Sequence, residues 1–212
     1  MDLHRVENNK PDWENIPESK HNAWQKLASK TNSILTPGNI VTSAGLGLVT
    51  YGSTKLGTNL IESFVFITGG RAADPFDGYI ANKTGTKSPL GEIYDATADK
   101  IEMVVVGAGI IENNLIPLPI MLGILVQNGL NTFFSIRAKK DKSIPKMHPS
   151  RLGKYATASQ WATIGLYGIS TILEQKNIIN TSHIVSYLGD ASLVPTTITS
   201  ISATYDYSKS SK

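Results

Sequence analysis

The sequence predicts an all-α protein: a bundle of six membrane-crossing helices, preceded by an amphipathic helix lying at the membrane interface. Three observations predict it. First, six segments lie between polar stretches, and each is close to the ~20 residues that cross a bilayer. Second, these segments are rich in Gly, Ser, Thr and Ala, small residues that let helices approach closely where lipid surrounds them. Third, positive charge alternates along the chain. Seventeen of the twenty Lys and Arg residues fall in four regions: 1–38, 82–100, 137–154 and the stretch after 203. The turns near Glu112 and Glu174 are almost free of it. The positive-inside rule then places both termini and the 82–90 loop on the cytoplasmic side of a cell membrane crossed several times.

The average composition is less apolar than that architecture suggests. Of 212 residues, 41% are hydrophobic, and the mean hydropathy is −0.09. A polar head, the basic loop 137–154 and a Ser/Lys tail pull the averages down. The expected organisation is a polar segment over 1–36 carrying the interfacial helix, a membrane domain over 37–204, and a flexible tail over 205–212.

Taken in order, residues 19–35 carry Ala23, Trp24, Leu27, Ala28 and Ile34 on one helical stripe, with Lys20, Lys26 and Lys30 on other faces. This pattern predicts the interfacial helix, with Trp13 and Trp24 as interface anchors. Pro37-Gly38 breaks the chain before the first span. The spans themselves are expected at Gly38–Lys55, Asn59–Ala81, Gly91–Ile111, Leu115–Ile136, Leu152–Leu173 and Thr181–Ala203.

The polar first 38 residues speak against a cleaved leader. With no cysteine, disulfides and thiolate metal sites are excluded. The basic regions have no interleaved aromatics, so no nucleic-acid partner is expected. Their placement suits the anionic surface of membrane lipids instead. The four histidines show no ligand spacing.

The second and third spans hold the chemistry. Asp74 and Asp77 are three residues apart, Asp95 and Asp99 four apart, so each pair shares one helix face. Two helices joined by a short loop aim four carboxylates into one volume, where they repel. Hard divalent cations relieve that repulsion, because Mg²⁺ and similar ions prefer carboxylate oxygens. Acids inside a membrane bundle face its interior rather than lipid. The segment therefore reads as a metal site built across a helix hairpin.

The same residues follow the pattern D-x-x-D-G-x-x-A-R-x8-G-x-x-x-D-x-x-x-D: Asp74, Asp77, Gly78, Ala81, then Gly91, Asp95 and Asp99. In this the chain resembles the CDP-alcohol phosphatidyltransferases. The resemblance implies a six-helix membrane enzyme, commonly a homodimer. It would move a phosphatidyl group from CDP-diacylglycerol to a polar alcohol acceptor and release CMP, using two divalent cations, Mg²⁺ or Mn²⁺. It implies that Asp74, Asp77 and Asp95 hold metal, and that Asp99 is the general base and also touches metal. It also implies that Asp77, Gly78, Ala81, residue 82 and Gly91 form the CDP site.

Asn82 stands where that family has arginine. An amide replaces a permanent charge and a fork of donors suited to phosphate. Arg71, one turn before Asp74, is positioned either to supply the missing charge or to pair with Asp74. Two further stretches are similar to the family. Asn39-Ile40-Val41-Thr42 matches an N-x-x-T at the start of the first span. Ser150, Gly153, Lys154, Thr157 and Gln160 match a stretch of the phosphatidylglycerophosphate synthase branch. That second match favours glycerol 3-phosphate as acceptor, with Arg137, Lys139 and Lys154 as its binding residues. Where the branch carries an Arg-Glu pair, this chain has Gln127, Asn128 and Asn131. Inositol phosphate or another polar alcohol is the alternative acceptor, and a non-catalytic CDP-lipid-binding protein the alternative class.

Overall fold

Seven α-helices, two short 3₁₀ helices (Asp12–Asn15 and Glu18–Lys20) and no strand occur among the described residues of a computed structural model of the chain, namely 10–140 and 151–209, without the side chains of 134–140, 151, 152, 154 and 206–209. The helices are α1 (Ala23–Lys30), α2 (Pro37–Thr54), α3 (Leu60–Thr84), α4 (Pro89–Glu112), α5 (Leu118–Lys140), α6 (Arg151–Gln175) and α7 (Ile179–Lys209). Six of them are long, one for each expected span. The last continues through Lys209, past the boundary at 204 expected from sequence. The chain forms two compact units, Met1–Val106 and Gly107–Lys212.

In the first unit the helix ends are set by local chemistry. Asn22 starts α1 with a capping box, accepting from the Gln25 N–H while the Gln25 side chain accepts from the Asn22 N–H. Thr36 caps α2 ahead of Pro37, which needs no N–H in the first turn. The Asn59 side chain caps α3. Gly85 ends α3 at φ +62°, the left-handed conformation that favours glycine. The Thr86 N–H then donates back to the Ala81 carbonyl at 2.9 Å. The Ser88 hydroxyl accepts from the Gly91 N–H at 3.0 Å and opens α4. Only Gly85 to Ser88 separate α3 from α4, so a four-residue loop joins the two helices.

Close approach of α2 and α3 rests on glycine. A Cβ on Gly70 would lie 2.6 Å from the Gly45 carbonyl oxygen and 2.6 Å from a Val49 methyl. The N-terminal segment clasps this loop from outside. Asn22 Nδ2 donates to the Thr84 carbonyl at 3.0 Å, Gln25 Nε2 donates to the Gly85 carbonyl at 3.2 Å, and the Asp12 N–H donates to the Lys87 carbonyl. Trp13 is not the interface anchor expected from sequence: it is 3% exposed. Its packing surface is consumed by the turns around it, where His21 Nε2 sits within 3.0 Å of the Trp13 carbonyl. Trp24, Ile34 and Leu35 are exposed.

The second unit mixes apolar and polar packing. Met121 and Ile124 are buried from α5. Asn128 Nδ2 donates to Gln160 Oε1 at 3.0 Å, and Gln160 Nε2 donates to Ser200 Oγ at 3.3 Å, linking α5, α6 and α7. Thr163 Oγ1 meets Ser192 Oγ and Thr196 Oγ1 at 2.8 and 3.1 Å. Asn131 accepts from Thr204 Oγ1. Asn128 and Asn131, the departures from the branch pattern, are thus engaged in holding helices together.

Among the described residues, no helix is both long and apolar enough to cross a membrane. The hydroxyls, amides and acids that stitch these helices lower their hydropathy. The all-α class expected from sequence is what the structure shows.

Candidate functional site

Asp74 and Asp77 project from α3, and Asp95 and Asp99 from the facing stretch of α4. Arg71 joins Asp74 of α3 to Asp99 of α4, and the oxygens of these two acids lie within 4.8 Å of each other. Asp74 is within electrostatic reach of Asp95 and Asp99. Asp95 lies within electrostatic reach of Asp77 and Asp99. Asp77 is buried, and its Oδ2 accepts a 2.6 Å hydrogen bond from the Thr42 hydroxyl of α2. Thr42 Oγ1 also lies 3.2 Å from the Gly38 carbonyl, and its single hydrogen goes to the nearer Asp77. The N-x-x-T stretch therefore has a defined task here: it presents a donor that orients one motif carboxylate.

Two groups enlarge the site beyond the motif. Glu102, one turn after Asp99, is 1% exposed. Its Oε2 lies 2.6 Å from Arg71 Nη1. The same nitrogen lies 2.6 Å from Asp99 Oδ1 and 2.6 Å from Asp74 Oδ2. Of the two alternatives for Arg71, the structure shows pairing with Asp74, and extends it to two further acids. Sequence reasoning missed Glu102. Its i, i+3 spacing from Asp99 was the available signal, but one more acid outside the motif had nothing to set it apart.

The donor set suits a hard cation. One carboxylate oxygen from each of Asp74, Asp99 and Glu102 lies within 4.8 Å of the others. They already surround a positive group, the Arg71 guanidinium, which tests the site's preference directly. Oxygens of this kind are what Mg²⁺, Mn²⁺ and Ca²⁺ coordinate.

The remaining motif positions separate by surroundings. A Cβ on Gly78 would meet nothing within 4 Å, so that surface is open. Asn82 is exposed near the end of α3. Ala81 sits against Gly38, whose Cβ would come 3.2 Å from that of Ala81. Gly91 lies beneath Asn39, where a Cβ would be 3.2 Å from the Asn39 oxygen. Glu92 turns outward, 3.5 Å from Lys87, as its helix position predicts. Of the expected acceptor residues, Arg137 and Lys139 fall in the last turns of α5 and Lys154 in the first turn of α6. Their side chains lie outside the described residues.

Carboxylates from two helices, with a hydroxyl orienting one of them, form an all-α site whose Asp74, Asp99 and Glu102 oxygens could hold a divalent cation. The model of the CDP-alcohol phosphatidyltransferase family matches residues 34–191, and the chain belongs to that family. Membership indicates transfer of a phosphatidyl group from a CDP-linked donor. No curated protein matches the chain, and no solved structure does.

Proposed function

We propose that this chain is a membrane-embedded transferase that moves a phosphatidyl group from CDP-diacylglycerol to a polar alcohol, with glycerol 3-phosphate the favoured acceptor. The observation that supports the reading is the meeting of acids from α3 and α4, with oxygens of Asp74, Asp99 and Glu102 within 4.8 Å of one another. Asp74, Asp77, Asp95 and Asp99 would hold two divalent cations, Mg²⁺ or Mn²⁺, which when bound neutralise the donor diphosphate and the charge that develops on it. The open surface at Gly78 leaves room for the nucleotide, beside Ala81, Asn82 and Gly91. Asp99 accepts the proton of the acceptor hydroxyl. The hydroxyl oxygen bonds to the lipid-side phosphorus, the phosphoanhydride bond breaks, and CMP departs with that electron pair. Arg137, Lys139 and Lys154 would receive the acceptor's phosphate.

A membrane setting is supported by the exposed apolar side chains along the helices, such as Val65, Ile93 and Val104 in the first unit and Ile184, Val194 and Ile201 in the second. Large exposed apolar surfaces of this kind call for a covering phase. Charge alternation supports cytoplasmic termini. A homodimer and contacts with membrane lipids follow from the family resemblance.

One observation favours a second reading, that of a CDP-lipid-binding protein without turnover: Asn82 lacks the charge of the family arginine. Purified protein with CDP-diacylglycerol, Mg²⁺ or Mn²⁺ and a panel of acceptors separates the two. Metal-dependent CMP release that falls by about a hundredfold or more in Asp99→Asn supports the transferase. CDP-lipid binding with no CMP release from any acceptor supports the second reading. In either case Asn82→Arg is expected to tighten nucleotide binding.

A further inference from the structure

We propose that Arg71 and Glu102 form a counter-ion device for the carboxylate centre: Arg71 holds Asp74 and Asp99 when no metal is bound, and withdraws onto Glu102 when a divalent cation takes its place. The inference rests on the metal-site reading above and assigns a role to two residues outside the motif.

The geometry is that of an ion site. One nitrogen, Arg71 Nη1, lies 2.6 Å from oxygens of three different carboxylates. That nitrogen carries two hydrogens. They serve Asp99 and Glu102. Asp74, at the same distance, is held there by charge. Three anionic oxygens within 4.8 Å of one another, gathered about one cationic nitrogen, are also a donor set that a hard cation takes. A metal ion and Arg71 Nη1 therefore compete for one point.

The charge count says where Arg71 goes. Four motif aspartates carry four negative charges, which two divalent cations neutralise. Glu102 adds a fifth acid, buried from solvent at 1% exposure. A buried acid needs a partner of its own. Arg71 supplies one, since its side chain already reaches Glu102. With both metals bound and Arg71 resting on Glu102, these five acids are matched; Lys100, which meets Asp99 through charge, stands outside that count. Without metal, the same guanidinium bridges α3 and α4 and limits the repulsion between them.

The test is Mn²⁺ titration of the purified full chain in micelles, followed by electron paramagnetic resonance. Arg71→Gln removes the competitor, and its Mn²⁺ affinity is expected to rise on the order of tenfold. Glu102→Gln removes the resting place, and its affinity is expected to fall by a similar factor. In Arg71→Gln/Glu102→Gln the affinity is expected to match that of Arg71→Gln. Arg71→Lys keeps the charge but not the fork, so it folds under the least strain and its affinity is expected to rise by a smaller factor. Unchanged or weaker Mn²⁺ binding in both Arg71 variants overturns the proposal. So does a Glu102→Gln loss of equal size in both backgrounds, which would make Glu102 a metal ligand. Absence of Mn²⁺ binding in the parent and every variant overturns the metal reading of the site as well.

Discussion

A single hydroxyl does much to shape the carboxylate centre. Thr42 donates to Asp77 at 2.6 Å, and both residues are buried. Partners that orient a metal ligand commonly change affinity when lost, even though they touch no metal. Thr42→Val keeps the shape and removes the donor. It is expected to weaken Mn²⁺ binding on the order of tenfold, while Thr42→Ser restores it; titration of the two variants side by side checks this. The sequence carried this residue only as part of a loose four-residue match, because nothing in one dimension says which carboxylate a threonine thirty-five positions away will meet. The four motif aspartates were legible for the opposite reason, since their spacing alone puts each pair on a helix face. Arg71 lay between. Its distance from Asp74 was readable, but its bridging of three acids depends on how α3 and α4 face each other.

At the scale of the element, the six long helices were legible and their ends nearly so. The expected span Gly38–Lys55 is α2 at Pro37–Thr54, and Gly91–Ile111 is α4 at Pro89–Glu112. Caps explain the agreement: Thr36, Asn59 and Ser88 are residues whose side chains satisfy free N–H groups. The stripe of small residues was legible as a tendency, but which glycine is indispensable was not. Gly69 and Gly70 are adjacent, and only contact with α2 distinguishes them. A Cβ on Gly70 would strike the Gly45 carbonyl and Val49, whereas one on Gly69 would meet nothing within 4 Å. Gly70→Ala is therefore expected to destabilise the first unit by about 1–3 kcal/mol. Gly69→Ala is expected to be neutral or to stabilise by up to about 1 kcal/mol, through helix propensity. Thermal unfolding followed by circular dichroism in micelles measures both, and equal losses would mean that the α2–α3 contact is not what limits this helix pair.

At the scale of the molecule, the question is what surrounds the helices. Hydropathy alone argues against a bilayer, and among the described residues no helix is apolar enough to cross one. The polar atoms, however, are largely turned inward. Gln160 and Thr163 of α6 and Thr196 and Ser200 of α7 are buried, while Val194, Ile198 and Ile201 of α7 are exposed. An average over a window cannot record that separation, which is why composition understated the apolar outer surface. In the proposed membrane setting, α4 gives a direct test of orientation. Its 24 residues span about 36 Å at ~1.5 Å per residue, enough to separate its two ends across the hydrocarbon core. Asp95 and Asp99 lie in its first half, nearer Lys87 than Glu112. The chain has no cysteine, so Lys87→Cys and Glu112→Cys each introduce one reporter, both at exposed positions. With an impermeant maleimide, Glu112→Cys is expected to label in intact cells and Lys87→Cys only after lysis. The opposite pattern would put the carboxylate centre on the outer face, away from a cytoplasmic CDP-linked donor, and labelling of both in intact cells would mean that α4 does not cross the membrane.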